Sequence, residues 1–224
     1  IRFKPDSRLF PFQEAIVQWA LEQQRCAIFA DCGLGKTIMQ LEWLRRIGGK
    51  GLVVAPWAVA QQTRHEARKF GLQCTYVRES ADMGEDGLYV TNYEMVGGFP
   101  ADQITAVVLD ESSILKNFEG ATKKLILDLF KDCPYKLACT ATPSPNDPME
   151  LGNHSEFLDV MSRNEMLAMY FVHDGGETAK WRLKGHAIKL FYQFIGTWAI
   201  MLNKPGDIDN EILVRIASPM RTLQ

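Results

Sequence analysis

Ala30-Asp31-Cys32-Gly33-Leu34-Gly35-Lys36-Thr37 follows the apolar run Cys26-Ala27-Ile28-Phe29 and leads into the helical pattern Ile38-Met39-Gln40-Leu41-Glu42-Trp43-Leu44. A strand, a glycine loop ending in Lys-Thr and a helix, in that order, make a phosphate cradle. The glycines let backbone N–H groups turn inward, and the helix N-terminus adds partial positive charge. Gly33, Leu34 and Gly35 are then the ATP-binding backbone, Lys36 reaches the β- and γ-phosphates, and the Thr37 hydroxyl is a ligand for Mg²⁺. The general pattern opens on glycine and this chain has Ala30 there, so the strand–loop–helix context carries the assignment. The competing reading is a flexible glycine turn before an ordinary helix.

Thr105-Ala106-Val107-Val108-Leu109-Asp110-Glu111 is a second signature. An apolar run this short, ending in two acids, reads as a buried parallel strand that delivers carboxylates to its C-terminal edge, where open α/β sheets bind ligands. Asp110 is the candidate to hold the Mg²⁺ of a bound nucleotide through water, and Glu111 to orient or deprotonate the attacking water.

Between and around these signatures the pattern alternates. Strands are expected at 26–30, 51–55, 74–78, 87–91, 105–110 and 135–140, and helices at 9–21, 36–46, 57–70 and 118–131. That alternation predicts an α/β fold, a mostly parallel sheet with helices on both faces. After Pro148 the chain reads as helical to about residue 201, its aromatics (Tyr170, Phe171, Phe191 and Trp198 among them) being core.

The net charge of −2 offers no support for a dedicated nucleic-acid module, although Arg64, Arg68 and Lys69 form a local basic face. No apolar stretch reaches the roughly 18 residues of a membrane helix, so no membrane partner is expected. The five cysteines lack metal-ligand spacing and read as reduced thiols of an intracellular, cytoplasmic protein. The start, Ile1-Arg2-Phe3, lacks a signal-peptide layout and an initiator Met, so a trimmed piece of something longer is expected.

With these landmarks placed, the chain resembles the first RecA-like domain of superfamily 2 helicases and translocases, in particular compact phage and prophage members of the Swi/Snf branch. Leu9-Phe10-Pro11-Phe12-Gln13 resembles the Q motif, and residues 31–37 resemble motif I. Val53-Val54-Ala55-Pro56-Trp57, with Glu66 and Phe70, is similar to motif Ia, and Val90-Thr91-Asn92-Tyr93-Glu94 to the segment that touches the tracked strand. Asp110-Glu111-Ser112-Ser113, with Lys116-Asn117, resembles motif II. Thr140-Ala141-Thr142-Pro143, with Asn146 and Glu150-Leu151, resembles motif III. The region from Trp181 to Pro205 is similar to the helical extension of phage members.

The resemblance implies a RecA-like P-loop NTPase at 1–158, a helical extension at 159–203 and a linker at 204–224 towards a second RecA-like domain. It implies that Gln13 reads adenine, that Ser113 couples motif II to motif III, and that Pro56, Trp57, Gln61, Asn92 and Tyr93 meet nucleic acid. That partner is DNA, or RNA, held mainly through backbone phosphates. Trp57 can stack on a base or pack on its neighbours, and packing is favoured. Thr140 and Thr142 either relay nucleotide state or simply form a Thr-Pro turn. Motif II departs from the family in ending Ser-Ser, and nothing resembles motifs IV to VI. Arg215 and Arg221 lack the context of the arginine that stabilises a transferring phosphate.

The function expected is an ATP- and Mg²⁺-dependent helicase or translocase motor, with Lys36, Asp110 and Glu111 catalytic. The alternatives are an ATP-binding regulatory or scaffold module and, disfavoured for want of a guanine-reading motif, a P-loop kinase or GTPase-like switch.

Overall fold

A computed structural model describes residues 8–116, 121–144, 147–173 and 181–207 of the 224-residue chain. It opens with α1 (Pro11–Gln23), in which Pro11 takes the first turn, where its missing N–H has no hydrogen bond to make. The chain then alternates through β1 (Arg25–Ala30), α2 (Lys36–Ile47), β2 (Lys50–Ala55), α3 (Trp57–Lys69), β3 (Cys74–Tyr76), β4 (Gly87–Asn92), β5 (Ala106–Asp110), α4 (Ala121–Leu129) and β6 (Tyr135–Thr140). It continues with α5 (Leu151–Phe157), α6 (Arg163–Tyr170), β7 (Phe171–His173), β8 (Trp181–Leu183), α7 (Ile188–Trp198) and β9 (Ala199–Leu202).

Seven strands form one parallel sheet in the order β3-β4-β2-β5-β6-β1-β9. Side chains alternate between its faces. In β1, Ala27 and Phe29 pack with α4 to α7, whereas Cys26, Ile28 and Ala30 pack with α1 to α3. Burial on both faces is why these strands read as unbroken apolar runs.

Charge fixes α1 against α2. Arg46 grips Glu14 with two hydrogen bonds of 2.7 Å, and the fully buried Glu42 pairs with Arg8 at 2.7 Å and Arg45 at 2.8 Å. This clamp holds Gln13, next to Glu14, against the glycine loop.

The sheet and the first four helices lie where the sequence places them, with β3 ending at Tyr76 rather than residue 78. The stretch after Pro148 is a correction: among the described residues it carries three α-helices but also three strands. β7 and β8 pair antiparallel with each other, and β9 pairs with Ala27–Ala30 of β1 as the seventh strand. Helical periodicity cannot foresee Ala-Ile-Met-Leu at 199–202 being claimed by a free sheet edge, a tertiary choice. The aromatics there are core as expected: Tyr170, Phe171, Phe191 and Trp198 are all buried. Asn117, Asn146, Arg215, Arg221 and most of the expected linker (208–224) lie outside the described residues.

Candidate nucleotide site

β1 and β5 flank β6, and because all three run the same way, their functional ends meet at one sheet edge. The loop after β1 turns on Gly33 (φ 85°) and Gly35 (φ 78°), both in the left-handed region. A Cβ on Gly35 would stand 2.4 Å from Nε2 of Gln13, so the position also needs the absence of a side chain. Gln13 donates from Nε2 to the Leu34 carbonyl at 3.0 Å and accepts the Phe10 N–H at 2.9 Å. It is buried and braces the loop.

Lys36 opens α2. Its ammonium donates to the carbonyls of Ala30 (2.6 Å) and Asp31 (3.3 Å), at the mouth of the loop. Across the cleft, Asp110 is buried, its Oδ1 accepting from Gln40 Nε2 at 2.9 Å and from the Glu111 N–H at 3.1 Å. Burial pushes the Asp110 carboxyl up and the Glu111 charge adds to this, while the Gln40 amide and the more distant Lys36 oppose it. Glu111 sits at φ 54°, a strained conformation for a side chain of its kind, and its Oε2 accepts from Thr140 Oγ1 at 3.2 Å.

These groups line a cleft of about 410 Å³ with Cys32, Gly33, Gly35, Lys36, Thr37, Asp110 and Glu111 on two sides, and Val59, Gln62, Thr63 and Glu66 of α3 on a third. A larger groove of about 610 Å³, lined by Asp102 and Pro134 among others, opens at the opposite end of the strands, away from this chemistry. The donor set fits Mg-nucleotide. Loop amides and Lys36 suit phosphates, and the hard oxygens of Thr37 and Asp110 suit Mg²⁺. A buried carboxylate with its charge penalised gains from a cation.

The link out of motif II differs from the expected one. Ser113 makes no side-chain hydrogen bond to another described residue; Ser112, fully buried, bonds His154 Nε2 of α5 at 3.0 Å. The correction follows from the turn after Asp110, which points Ser112 inward. Thr140 Oγ1 donates to Glu111 Oε2 and also accepts the Thr142 N–H at 3.1 Å, as a Thr-Pro turn does.

The expected nucleic-acid residues divide. Trp57 is 52% exposed and meets Tyr76 edge-on at 5.1 Å, so it packs and still shows a face to solvent. Pro56 and Gln61 are half-buried beside it. Asn92 and Tyr93 are corrections, 6% and 4% exposed. Asn92 Oδ1 accepts from Tyr76 at 2.6 Å, and Tyr93 donates its hydroxyl to the Asp110 carbonyl at 2.9 Å. Their polar tips are spent on these partners, as those of buried residues are.

Sequence reasoning missed Gln40, His154 and the α3 wall. Gln40 had a signal: it lies four residues after Lys36, on the same helix face, as a polar break in an apolar run. His154 had none, since its partner is 42 residues away.

No protein-family model matches the chain. In sequence it is similar to the SWI/SNF-related matrix-associated actin-dependent regulator of chromatin subfamily A-like protein 1 of Xenopus tropicalis, 26% identical over 160 residues, which are 66% of this chain and 17% of that protein. In structure it is similar to the Sulfolobus solfataricus SWI2/SNF2 ATPase core in complex with dsDNA. The TM-score is 0.68 at 19% identity, covering 91% of this chain and 45% of that one. The same archaeal core domain gives 0.67 at 19% identity, over 95% and 46%. The Hef helicase domain of Pyrococcus furiosus gives 0.55 at 19% identity, over 66% and 35%. The chain thus spans less than half the length of each of these relatives. Its mostly parallel, seven-stranded sheet with helices on both faces is the fold of the SWI2/SNF2 ATPase core.

Proposed function

We propose that this chain is the ATP-binding half of a Swi/Snf-type motor that couples ATP hydrolysis to movement on DNA. The observation that carries the reading is the meeting of Lys36 and Thr37 with Asp110 and Glu111 around one cleft. ATP places its phosphates on the loop amides, and Lys36 exchanges the Ala30 and Asp31 carbonyls for phosphate oxygens. Thr37 and, through water, Asp110 would hold Mg²⁺, whose charge would offset that of the phosphates. Glu111 orients a water and takes its proton as the water oxygen bonds the γ-phosphorus and the bond to the β-phosphate oxygen breaks. Thr140, bonded to Glu111, carries the change towards the surface. Gln13 retains one N–H and one lone pair for the adenine edge.

DNA lies along the C-terminal edge of the sheet at Pro56, Trp57 and Gln61, held mainly by phosphates. The dsDNA bound by the Sulfolobus core supports this partner. That core is over twice the length aligned here, which supports a second RecA-like domain supplying an arginine to the transferring phosphate. Residues 1–158 and the extension 159–203 then form one domain, an assignment supported by the return of β9 to β1.

The test is a steady-state ATPase assay on the 224-residue chain and on a longer polypeptide carrying a second RecA-like domain, each with and without dsDNA. Slow turnover by the chain, and DNA-stimulated turnover by the longer polypeptide, are expected. Nucleotide binding without hydrolysis in either would favour a regulatory module instead.

A further inference from the structure

The turn after β5 is held from two directions. From the sheet, the Glu111 N–H donates to Asp110 Oδ1 at 3.1 Å and Thr140 Oγ1 donates to Glu111 Oε2 at 3.2 Å. The turn closes on itself through the Ile114 N–H and the Glu111 carbonyl at 3.0 Å. From the C-terminal region, His154 Nε2 and Ser112 Oγ stand 3.0 Å apart with both residues buried. The imidazole also meets Phe29 of β1 edge-on at 5.2 Å, and Phe29 precedes Ala30, whose carbonyl holds Lys36. One side chain of α5 therefore touches both β1 and the turn that follows β5.

Glu111 needs such support. Its φ of 54° is one that a glutamate leaves unless its surroundings fix it. We propose that His154 is a positioning residue: through its hydrogen bond to Ser112 it locks the turn and keeps Glu111 aimed into the nucleotide cleft. Burial holds the ring neutral, pushing it down to about 4, with the Glu150 carbonyl opposing part of that shift. Nδ1 has no hydrogen-bond partner of normal geometry, so the polar attachment of the ring among the described residues is Ser112. A buried hydroxyl left without its partner, beside a strained residue, favours a rearranged turn.

The consequence for hydrolysis rests on the ATPase reading, but the lock itself does not, and the two are tested separately. Amide hydrogen exchange is followed in the whole chain for wild type, Ser112→Ala, His154→Phe and His154→Gln. Ser112→Ala and His154→Phe should speed exchange of the Glu111 and Ile114 amides about tenfold or more while leaving Val107 and Val108 unchanged, and His154→Gln should recover much of the protection. ADP affinity should stay at the wild-type value in all of them. Exchange at Glu111 and Ile114 within about twofold of wild type in both Ser112→Ala and His154→Phe would overturn the proposal, whatever happens to α5 itself. Ser112→Ala leaves the His154 packing in place, so it decides the matter if His154→Phe fails to fold. Faster turn exchange in a chain that binds no nucleotide would uphold the lock and reject the ATPase reading.

Discussion

Gln40 donates from Nε2 to Oδ1 of Asp110 across 2.9 Å, tying the second turn of the loop helix to the carboxylate opposite it. Both residues are buried, and Oε1 of Gln40 has no hydrogen-bond partner among the described residues. The bond fixes which oxygen of Asp110 remains free to face the cleft. Gln40→Leu should therefore weaken the Mg²⁺-dependent part of ADP binding by about 1 kcal/mol, roughly fivefold, with the Mg²⁺-free part unchanged. Calorimetry with and without Mg²⁺ measures the difference directly. Equal losses in both conditions would mean that Gln40 serves the loop and not the acid.

The two loop glycines should separate cleanly. Gly33 has open space where a Cβ would stand, so Gly33→Ala meets only the left-handed backbone cost of about 1 kcal/mol. Gly35→Ala meets that cost and also a contact at 2.4 Å with Gln13, and should lose more stability. Gln13→Ala should remove much of the extra loss. Denaturant unfolding of the two single mutants and the Gly35→Ala, Gln13→Ala pair tests this, and a loss at Gly35 no larger than that at Gly33 would contradict it.

His154 gives stability a pH dependence. An ordinary histidine titrates at 6.5 and burial lowers this one to about 4. The stability contributed by its neutral form is complete above 6.5 and is lost as the pH falls towards 4. The loss is about 1.4 kcal/mol per pH unit, so about 2 kcal/mol between pH 6.5 and 5. Asp110, raised above 3.8, has the opposite sign, favouring the fold at low pH and losing that contribution as the pH climbs through its folded value. Urea unfolding at several pH values should show the slope in wild type and a flatter profile in His154→Phe. The same slope in both proteins would place its origin elsewhere.

Glu111→Gln keeps the shape of the side chain and its contact with Thr140 but removes the base. In a polypeptide that hydrolyses ATP, turnover should fall about 100-fold or more while ATP stays bound. Rates from a steady-state assay at saturating ATP decide it, and wild-type turnover in the variant would assign the base to another residue.

The sequence made the sheet legible because buried parallel strands leave short apolar runs, and because the glycine loop and the Asp110-Glu111 pair are local signals. β9 was illegible because its strand identity comes from pairing with β1, about 170 residues earlier in the chain. The same division runs through the site. Lys36, Thr37, Asp110 and Glu111 line the cleft as their spacing predicted, whereas Ser112 and His154 meet only through the packing of α5 under the β5 turn. Tyr93 shows the converse limit. A tyrosine after a strand looks available for nucleic acid, but here the neighbouring Asp110 carbonyl takes its hydroxyl.

The central claim, that this cleft is a nucleotide site organised by Lys36, is tested most directly by titrating Mg-ADP into the 224-residue chain and its Lys36→Ala variant. The lysine faces the loop mouth, and its ammonium bonds carbonyls that phosphates can replace, so the variant should fold as wild type does. One site per chain, weakened about tenfold or more by Lys36→Ala, is the expected result. Equal affinity in the two proteins, or no binding by the wild type, would contradict the account.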